Sequence, residues 1–232
     1  MKINPLLCLV VSFFYLTSSQ SIAQESYFGI QSGVTITNVK ADASLFNLES
    51  QIGVFCEVNY EHLIKNKHSF ELGLLYNQKG YMNRLRFTDE NGMPITSGNN
   101  SYQDYNYLGL PIKYGFRMNG KFSFTGSIGL VPAILLSATL RLPIFHNPSG
   151  GQFVPNGEYS KRENSDSFSS FELSSIIELE AAFKISPRMN LVGIGSFQYG
   201  LTNIYGGNNS PDNKVINYGA LFGLGLKYKL AG

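Results

Sequence analysis

The sequence predicts an all-β fold: an eight-stranded antiparallel up-and-down transmembrane β-barrel of the outer-membrane type. Three observations predict it. Eight segments carry apolar residues at nearly every second position, the two-residue period of a strand with one greasy face. The second face carries glycine and charge rather than a wet, Lys/Glu/Thr-rich surface. The connections between segments alternate long and short. Composition agrees, because only 15% of the 232 residues are charged against 43% hydrophobic, and a soluble chain carries about a quarter charged. A formal net charge of +2 gives no electrostatic basis for a nucleic-acid partner.

The N-terminus reads as a secretory signal. Lys2 supplies a positive start, Leu6 to Leu16 an apolar core interrupted by Ser12, and Ser21-Ile22-Ala23 small residues for cleavage. That core is shorter than the roughly 20 residues of a spanning helix. The expected organisation is therefore a signal peptide over residues 1–23 and one outer-membrane barrel domain over residues 24–232. Cys8 leaves with the signal, so Cys56 has no intramolecular disulfide partner and is expected to pack or face lipid. No later stretch is apolar enough for a transmembrane helix, so any crossing must be made by strands.

Along the first predicted strand Phe28, Ile30, Val34 and Ile36 share one parity. The second carries Ile52, Val54, Cys56, Val58 and Tyr60, and the third Phe70, Leu72, Leu74 and Tyr76. Leu108, Leu110, Ile112, Tyr114 and Phe116 mark the fourth, then Phe122, Phe124, Ile128, Leu130, Ile134 and Leu136 the fifth. The sixth has Phe171, Leu173, Ile177, Leu179, Ala181 and Phe183; the seventh has Met189, Leu191, Phe197, Tyr199 and Leu201. The eighth ends the chain with Ala220, Phe222, Leu224, Leu226, Tyr228 and Leu230. Each can supply the 9–11 residues of a tilted membrane-spanning strand.

The opposite parity carries Glu57, Glu71, Lys79, Lys113, Glu172, Glu178, Glu180, Lys184 and Lys227, among glycines such as Gly29, Gly33, Gly73 and Gly225. An eight-stranded lumen is barely wide enough for side chains, so a few long charged residues need small neighbours. The greasy face is accordingly assigned to lipid and the glycine-and-charge face to the lumen. Glu57, Glu71, Lys79, Lys113, Glu172, Glu178, Glu180 and Lys227 form the candidate lumen-facing charge network. A cation site or pH-sensitive plug is one reading of it. An internal salt-bridge network is preferred, because buried charge is tolerated when paired.

The links His62–Lys67, Arg117–Gly120 and Ile185–Pro187 are short, while Lys40–Ser50, Gly80–Ser101, Arg141–Ser169 and Asn203–Asn213 are long. Short periplasmic turns and long outer loops are the layout of an outer-membrane barrel, and an even strand number puts both termini in the periplasm. Aromatic residues gather near strand ends: Tyr60, Tyr114, Phe116, Phe122, Phe183 and Tyr228 at one rim, and Tyr76, Tyr81, Tyr105, Tyr107, Phe171, Tyr199 and Tyr218 at the other. Two such girdles are expected at the headgroup levels. Pro111 and Pro132 lie inside strands and predict a bulge or a missing rung at each, since a closed barrel has no edge to hide them.

LLYNQKG (74–80), YLGLPIKYGF (107–116), YGLTNIY (199–205) and the opening FGIQSGVTITNV (28–39) resemble strand motifs of the PorT-like outer-membrane β-barrel family. The resemblance spans essentially the whole mature chain and implies an eight-stranded outer-membrane barrel. Gly225, Tyr228 and Leu230 also resemble the C-terminal signal read by the barrel-insertion machinery, although the chain ends Leu230-Ala231-Gly232 rather than on an aromatic.

The expected location is the bacterial outer membrane, with outer-membrane lipid and, during biogenesis, the insertion machinery as partners. The expected role is structural or interactive: envelope integrity, surface contact, or service to an envelope or secretion complex through the long loops. No open pore is expected at this strand number. No P-loop, dinucleotide fingerprint or zinc-type Cys/His spacing occurs, so no cofactor or metal is expected. One alternative is a secreted soluble lipocalin-like barrel whose aliphatic face would line a pocket for a small apolar ligand. Another is a lipid-modifying outer-membrane enzyme, with His146, Ser149 and an acid in the long 141–169 loop. His62 and His68 flank a predicted periplasmic turn. No catalytic function is expected.

Overall fold

Eight antiparallel strands close into a ring in the computed structural model. They are β1 (Glu25–Ala41), β2 (Leu48–Ile64), β3 (His68–Arg84), β4 in two segments (Asn100–Gly109 and Ile112–Met118), β5 (Phe122–His146), β6 (Phe171–Ser186), β7 (Met189–Gly200) and β8 (Val215–Lys229). Each pairs with its sequence neighbours, and β8 pairs back onto β1 from Tyr27↔Lys229 to Ala41↔Val215. The structure describes residues 25–41, 48–65, 67–84, 87–88, 94–95, 100–120, 122–146, 154–206 and 214–230. The predicted signal peptide with Cys8, Ser149, and the side chain of His146 lie outside the described residues. Among the described residues no helix is long and apolar enough to cross a membrane.

The apolar parity points outward. Ile52 (71% exposed), Leu179 (69%) and Leu224 (67%) stand on the outer wall, as do Phe28, Ile30, Leu74, Ile128 and Leu191. Cys56 is a free thiol on the same face. Such a continuous aliphatic wall is stable against hydrocarbon, and ring closure satisfies the backbone without an open edge. The soluble lipocalin-like alternative is overturned here, because the aliphatic residues face out and the inner face is polar and filled.

The inner glycines make that filling possible. A Cβ on Gly73 would stand 2.6 Å from Glu57 Oε1, and one on Gly29 would stand 2.1 Å from Asn59 Oδ1. Only a hydrogen at those positions leaves room for the long lumen side chains.

The two prolines each leave a gap, in neighbouring ladders. The strand of β4 breaks at Leu110-Pro111. The Leu110 N–H donates to the Pro132 carbonyl (2.8 Å), and the Gly73 N–H donates to the Pro111 carbonyl (3.0 Å). Neither proline can return the bond, so each removes one rung, yet the register is the same on both sides of the break, from Gly109↔Ala133 to Ile112↔Leu130. The expected missing rungs are present, while the bulge lies elsewhere, at Asn106/Tyr107.

The strands outrun the membrane on the long-loop side. β5 reaches 25 residues, well beyond the 9–11 that a tilted crossing needs. Its upper part pairs with β4 on one edge (Tyr102↔Arg141) and with a further strand, Val154–Glu163, on the other (Thr139↔Glu163). Much of what the sequence reading assigned to the 141–169 loop is thus a projecting β-sheet. A 3₁₀ turn at Ser165–Ser167 then leads Phe168 back over the barrel mouth, where it bridges Tyr205.

The outer aromatic girdle needs correction. Tyr76, Phe171 and Tyr199 are exposed on the outer wall, but Tyr105 and Tyr107 are 0% and 1% exposed and point inward. Tyr105 packs edge-on against Phe168 with ring centroids 4.9 Å apart, and Tyr81 lies beside it at 6.3 Å. Odd positions of β3 and β4 face the lumen, so parity outranks height here: these rings are core, not girdle. The periplasmic girdle of Tyr60, Tyr114, Phe116, Phe122, Phe183 and Tyr228 does face outward.

Candidate functional site

Inner-facing positions from all eight strands build a layered lumen. Along β3 the inward residues run Glu71, Leu75, Asn77, Lys79, and along β6 they run Glu180, Glu178, Ile176, Ser174, Glu172. Both give the same order from the periplasmic end: charge, apolar, then polar again.

The lowest layer is a charge cluster. Lys113 Nζ lies 2.6 Å from Glu71, 2.7 Å from Glu178 and 3.4 Å from Glu57. Lys227 Nζ lies 2.6 Å from Glu180, 2.8 Å from Glu61 and 3.2 Å from Glu71. Glu71 therefore joins the two lysines. Arg117 Nη2 donates to both oxygens of Glu61 at 3.0 and 3.1 Å, and Arg117 Nε donates to Thr125. Gln31 and Asn59 donate amide N–H groups to Glu57 and Glu71.

All of these charges are at least nine-tenths buried, so their pairing decides whether the fold tolerates them. Five carboxylates meet three cations, a formal excess of two negative charges. Among the described residues, four acceptor oxygens, on Gln31, Glu57, Asn59 and Glu180, accept no well-aligned hydrogen bond, although Glu57 Oε1 lies 3.4 Å from Lys113 and Glu180 Oε1 3.8 Å from Arg117. The cluster is therefore rich in acceptors and short of protons or cations. Even so, among the described residues no group of three or more His, Cys, Asp or Glu side chains is arranged to hold a metal ion. Lysine nitrogens occupy the centres between the acids.

Above this cluster lies a dry layer. Phe55, Leu75, Val131, Ile176, Ile194 and Leu221, each from a different strand, pack together across the lumen. Lys79 and Glu172 form a separate pair above it at 2.6 Å, with Ser174 and Asn217 also donating to the Glu172 carboxylate. An apolar stopper then closes the outer end, built from Tyr105, Tyr107, Phe168, Ile204, Val39 and Val215 among others.

The eight residues of the candidate network thus divide into two sites. Glu57, Glu71, Lys113, Glu178, Glu180 and Lys227 share the lower cluster, while Lys79 and Glu172 pair apart from it. Sequence reasoning missed Glu61 and Arg117. Both have the inward parity of Glu57 and Lys113, but they sit where the strands meet the short turns. It also missed the six apolar inner residues, for which inward parity was again the available signal. Lys184 has inward parity and yet is exposed at the periplasmic mouth.

Two of the histidines lie at the periplasmic end: His62 Nδ1 is hydrogen-bonded to Ser26 Oγ (3.0 Å), and His68 Nδ1 to the Tyr114 hydroxyl (2.8 Å). His146 lies in the upper part of β5.

A family model agrees with this architecture. The profile of the outer membrane protein beta-barrel domain family matches residues 6–230. Among solved structures the chain is similar to the Neisserial surface protein A, at 11% identity over 88% of this chain and 97% of that one, with a TM-score of 0.44. It is also similar to Ail, the attachment invasion locus protein of Yersinia pestis (18% identity, 89% and 99% covered, TM-score 0.41). A third similar structure is the Escherichia coli outer membrane protease OmpT (11% identity, 92% and 100% covered, TM-score 0.49). No curated protein sequence matches the chain. With its lipid-facing aliphatic wall and closed ring of eight strands, the chain belongs to the outer membrane β-barrel domain family and is a protein of the bacterial outer membrane.

Proposed function

We propose that this protein is a plugged, non-conducting barrel whose role is structural or interactive, carried by the β-sheet that projects from its outer end. The observation behind this reading is the filled lumen. A buried charge cluster, an apolar layer and an aromatic stopper succeed one another along the axis, and each is a barrier to hydrated ions. What reaches beyond the membrane is the sheet of β4, β5 and Val154–Glu163, where Tyr159, Ser160, Lys161 and Arg162 are exposed. A rigid sheet on a membrane-anchored base suits surface contact or attachment to an envelope complex, including a secretion complex of the kind linked with the PorT-like family. The outward-facing Tyr228 and Leu230 at the end of β8 are the residues we assign to recognition by the insertion machinery.

Two measurements on the full-length protein test this. In planar bilayers the wild type is expected to give no unitary conductance, and a stable open channel would overturn the plugged reading. In cells, a Ser160→Cys variant in a Cys56→Ser background should react with a membrane-impermeant maleimide. Failure to label on intact cells, with labelling after lysis, would place the sheet on the wrong side of the membrane.

A further inference from the structure

We infer that the outer rim between β1, β7 and β8 holds a binding site for a phosphorylated lipid headgroup of the outer leaflet. A surface pocket of about 200 Å³ opens there, lined by Lys40, Tyr199, Gly200, Leu201, Lys214 and Ile216. Drug-sized ligands fill roughly 300–1,000 Å³, so this pocket suits one headgroup substituent rather than a whole small molecule.

Its height and chemistry select the ligand. On β1 the outward apolar residues end at Ile36, and Lys40 is exposed four residues further toward the long loops. On β7 the outward wall ends at Tyr199, with Leu201 one residue beyond the strand, both exposed. The pocket therefore straddles the boundary where acyl chains give way to headgroups, with an aromatic and aliphatic wall below and ammonium groups above. Lys40 pairs in register with Ile216, which sets it diagonal to Lys214 across the β1–β8 ladder, a separation that long side chains bridge. Lys214 Nζ donates to the Leu201 carbonyl (3.0 Å), and this holds its charge over the pocket.

Neither lysine has a carboxylate within 4.0 Å among the described residues. Other rim cations do: Arg84 and Arg141 each have an acid, Glu49 and Asp104, at 2.7 Å. Two adjacent ammonium groups with no carboxylate partner among the described residues, above an apolar wall, match a phosphate monoester attached to an acylated body. A free anion would make no use of the Tyr199 and Leu201 wall, so the ligand committed to here is the lipid.

The test uses the full chain in phosphatidylcholine nanodiscs doped with lipid A, either fully phosphorylated or dephosphorylated, with retained lipid read by native mass spectrometry. Folding of each variant is checked by the gel shift on boiling. Lys40→Ala/Lys214→Ala is expected to bind phosphorylated lipid A about thirtyfold more weakly, each lysine near an anionic group contributing about fivefold. Lys40→Arg/Lys214→Arg should retain it, as should the control Arg84→Ala. Dephosphorylated lipid A should bind the wild type as weakly as phosphorylated lipid A binds the alanine variant, and inorganic phosphate at matching concentration should displace nothing. Equal retention by the alanine variant, equal retention of the dephosphorylated lipid, or displacement by inorganic phosphate would each overturn the inference.

Discussion

Lys227→Met tests whether the lumen charges are a structural lock. The Lys227 ammonium is 2% exposed and lies 2.6, 2.8 and 3.2 Å from Glu180, Glu61 and Glu71. The methionine side chain has similar length and leaves no cavity, so the loss isolates the charge. Removing one partner from a buried pair costs about 3–5 kcal/mol, because the opposite charge stays buried without compensation. The upper end applies here, since the deletion changes five carboxylates against three cations into five against two. Glu180→Gln makes the informative contrast. It removes one of the two surplus negative charges and leaves Lys227 with Glu61 and Glu71, so its cost should stay within about 1 kcal/mol. The assay is urea unfolding of the reconstituted barrel followed by far-UV circular dichroism, because the chain contains no tryptophan. With a urea slope of about 2 kcal/mol per molar, the Lys227→Met midpoint should fall by roughly 1.5–2.5 M. The reasoning is refuted if Lys227→Met unfolds at the wild-type midpoint, or if Glu180→Gln is the more damaging of the two. Either result would mean that water screens the cluster and that the lumen is open to solvent.

Gly33→Ala should destabilise by about 1–3 kcal/mol, because its Cβ would come 2.0 Å from the Phe222 carbonyl oxygen, whereas Gly193→Ala meets Leu224 Cδ2 at 3.7 Å and should be neutral. The same urea titration separates them. On the lipid face, Leu179→Arg at mid-depth should cost about 2–4 kcal/mol and Leu201→Arg at the rim about 0–1 kcal/mol; equal costs would show that this wall does not face hydrocarbon. Tyr105→Ala removes a fully buried ring from the stopper and should cost about 3–5 kcal/mol, while planar bilayers should still show no conductance, because the apolar layer and the charge cluster remain below it. Finally, mass spectrometry of the mature protein should find its N-terminus at Gln24, and a retained Met1 would refute the assigned signal peptide.

Some features of this protein were settled by sequence alone. Side chains alternate across a strand by geometry, so Ile52, Val54 and Cys56 must share a face opposite Glu57, and the same holds along all eight strands. Charge is too costly in hydrocarbon to sit on the outer face, so parity and charge together assigned the walls. The alternation of short and long links gives the orientation expected of the barrel. Local rules could not say which acid meets which base. Glu61 and Lys227 are 166 residues apart, and only ring closure through β8 and β1 brings them together. The separation of Lys79–Glu172 from the lower cluster depends on strand stagger, which parity does not report. Tyr105 and Tyr107 were misread as girdle because an aromatic near a strand end looks alike from either side of the wall. Their inward parity, and Phe168 folding over them from a distant turn, make them a stopper. Residues 141–146 of β5 were taken as loop because their partner, Val154–Glu163, is polar on both faces. Leu140, Leu142 and Ile144 continue the alternation on β5, but the strand that pairs with them has no apolar period of its own, so that pairing exists only once the chain has folded.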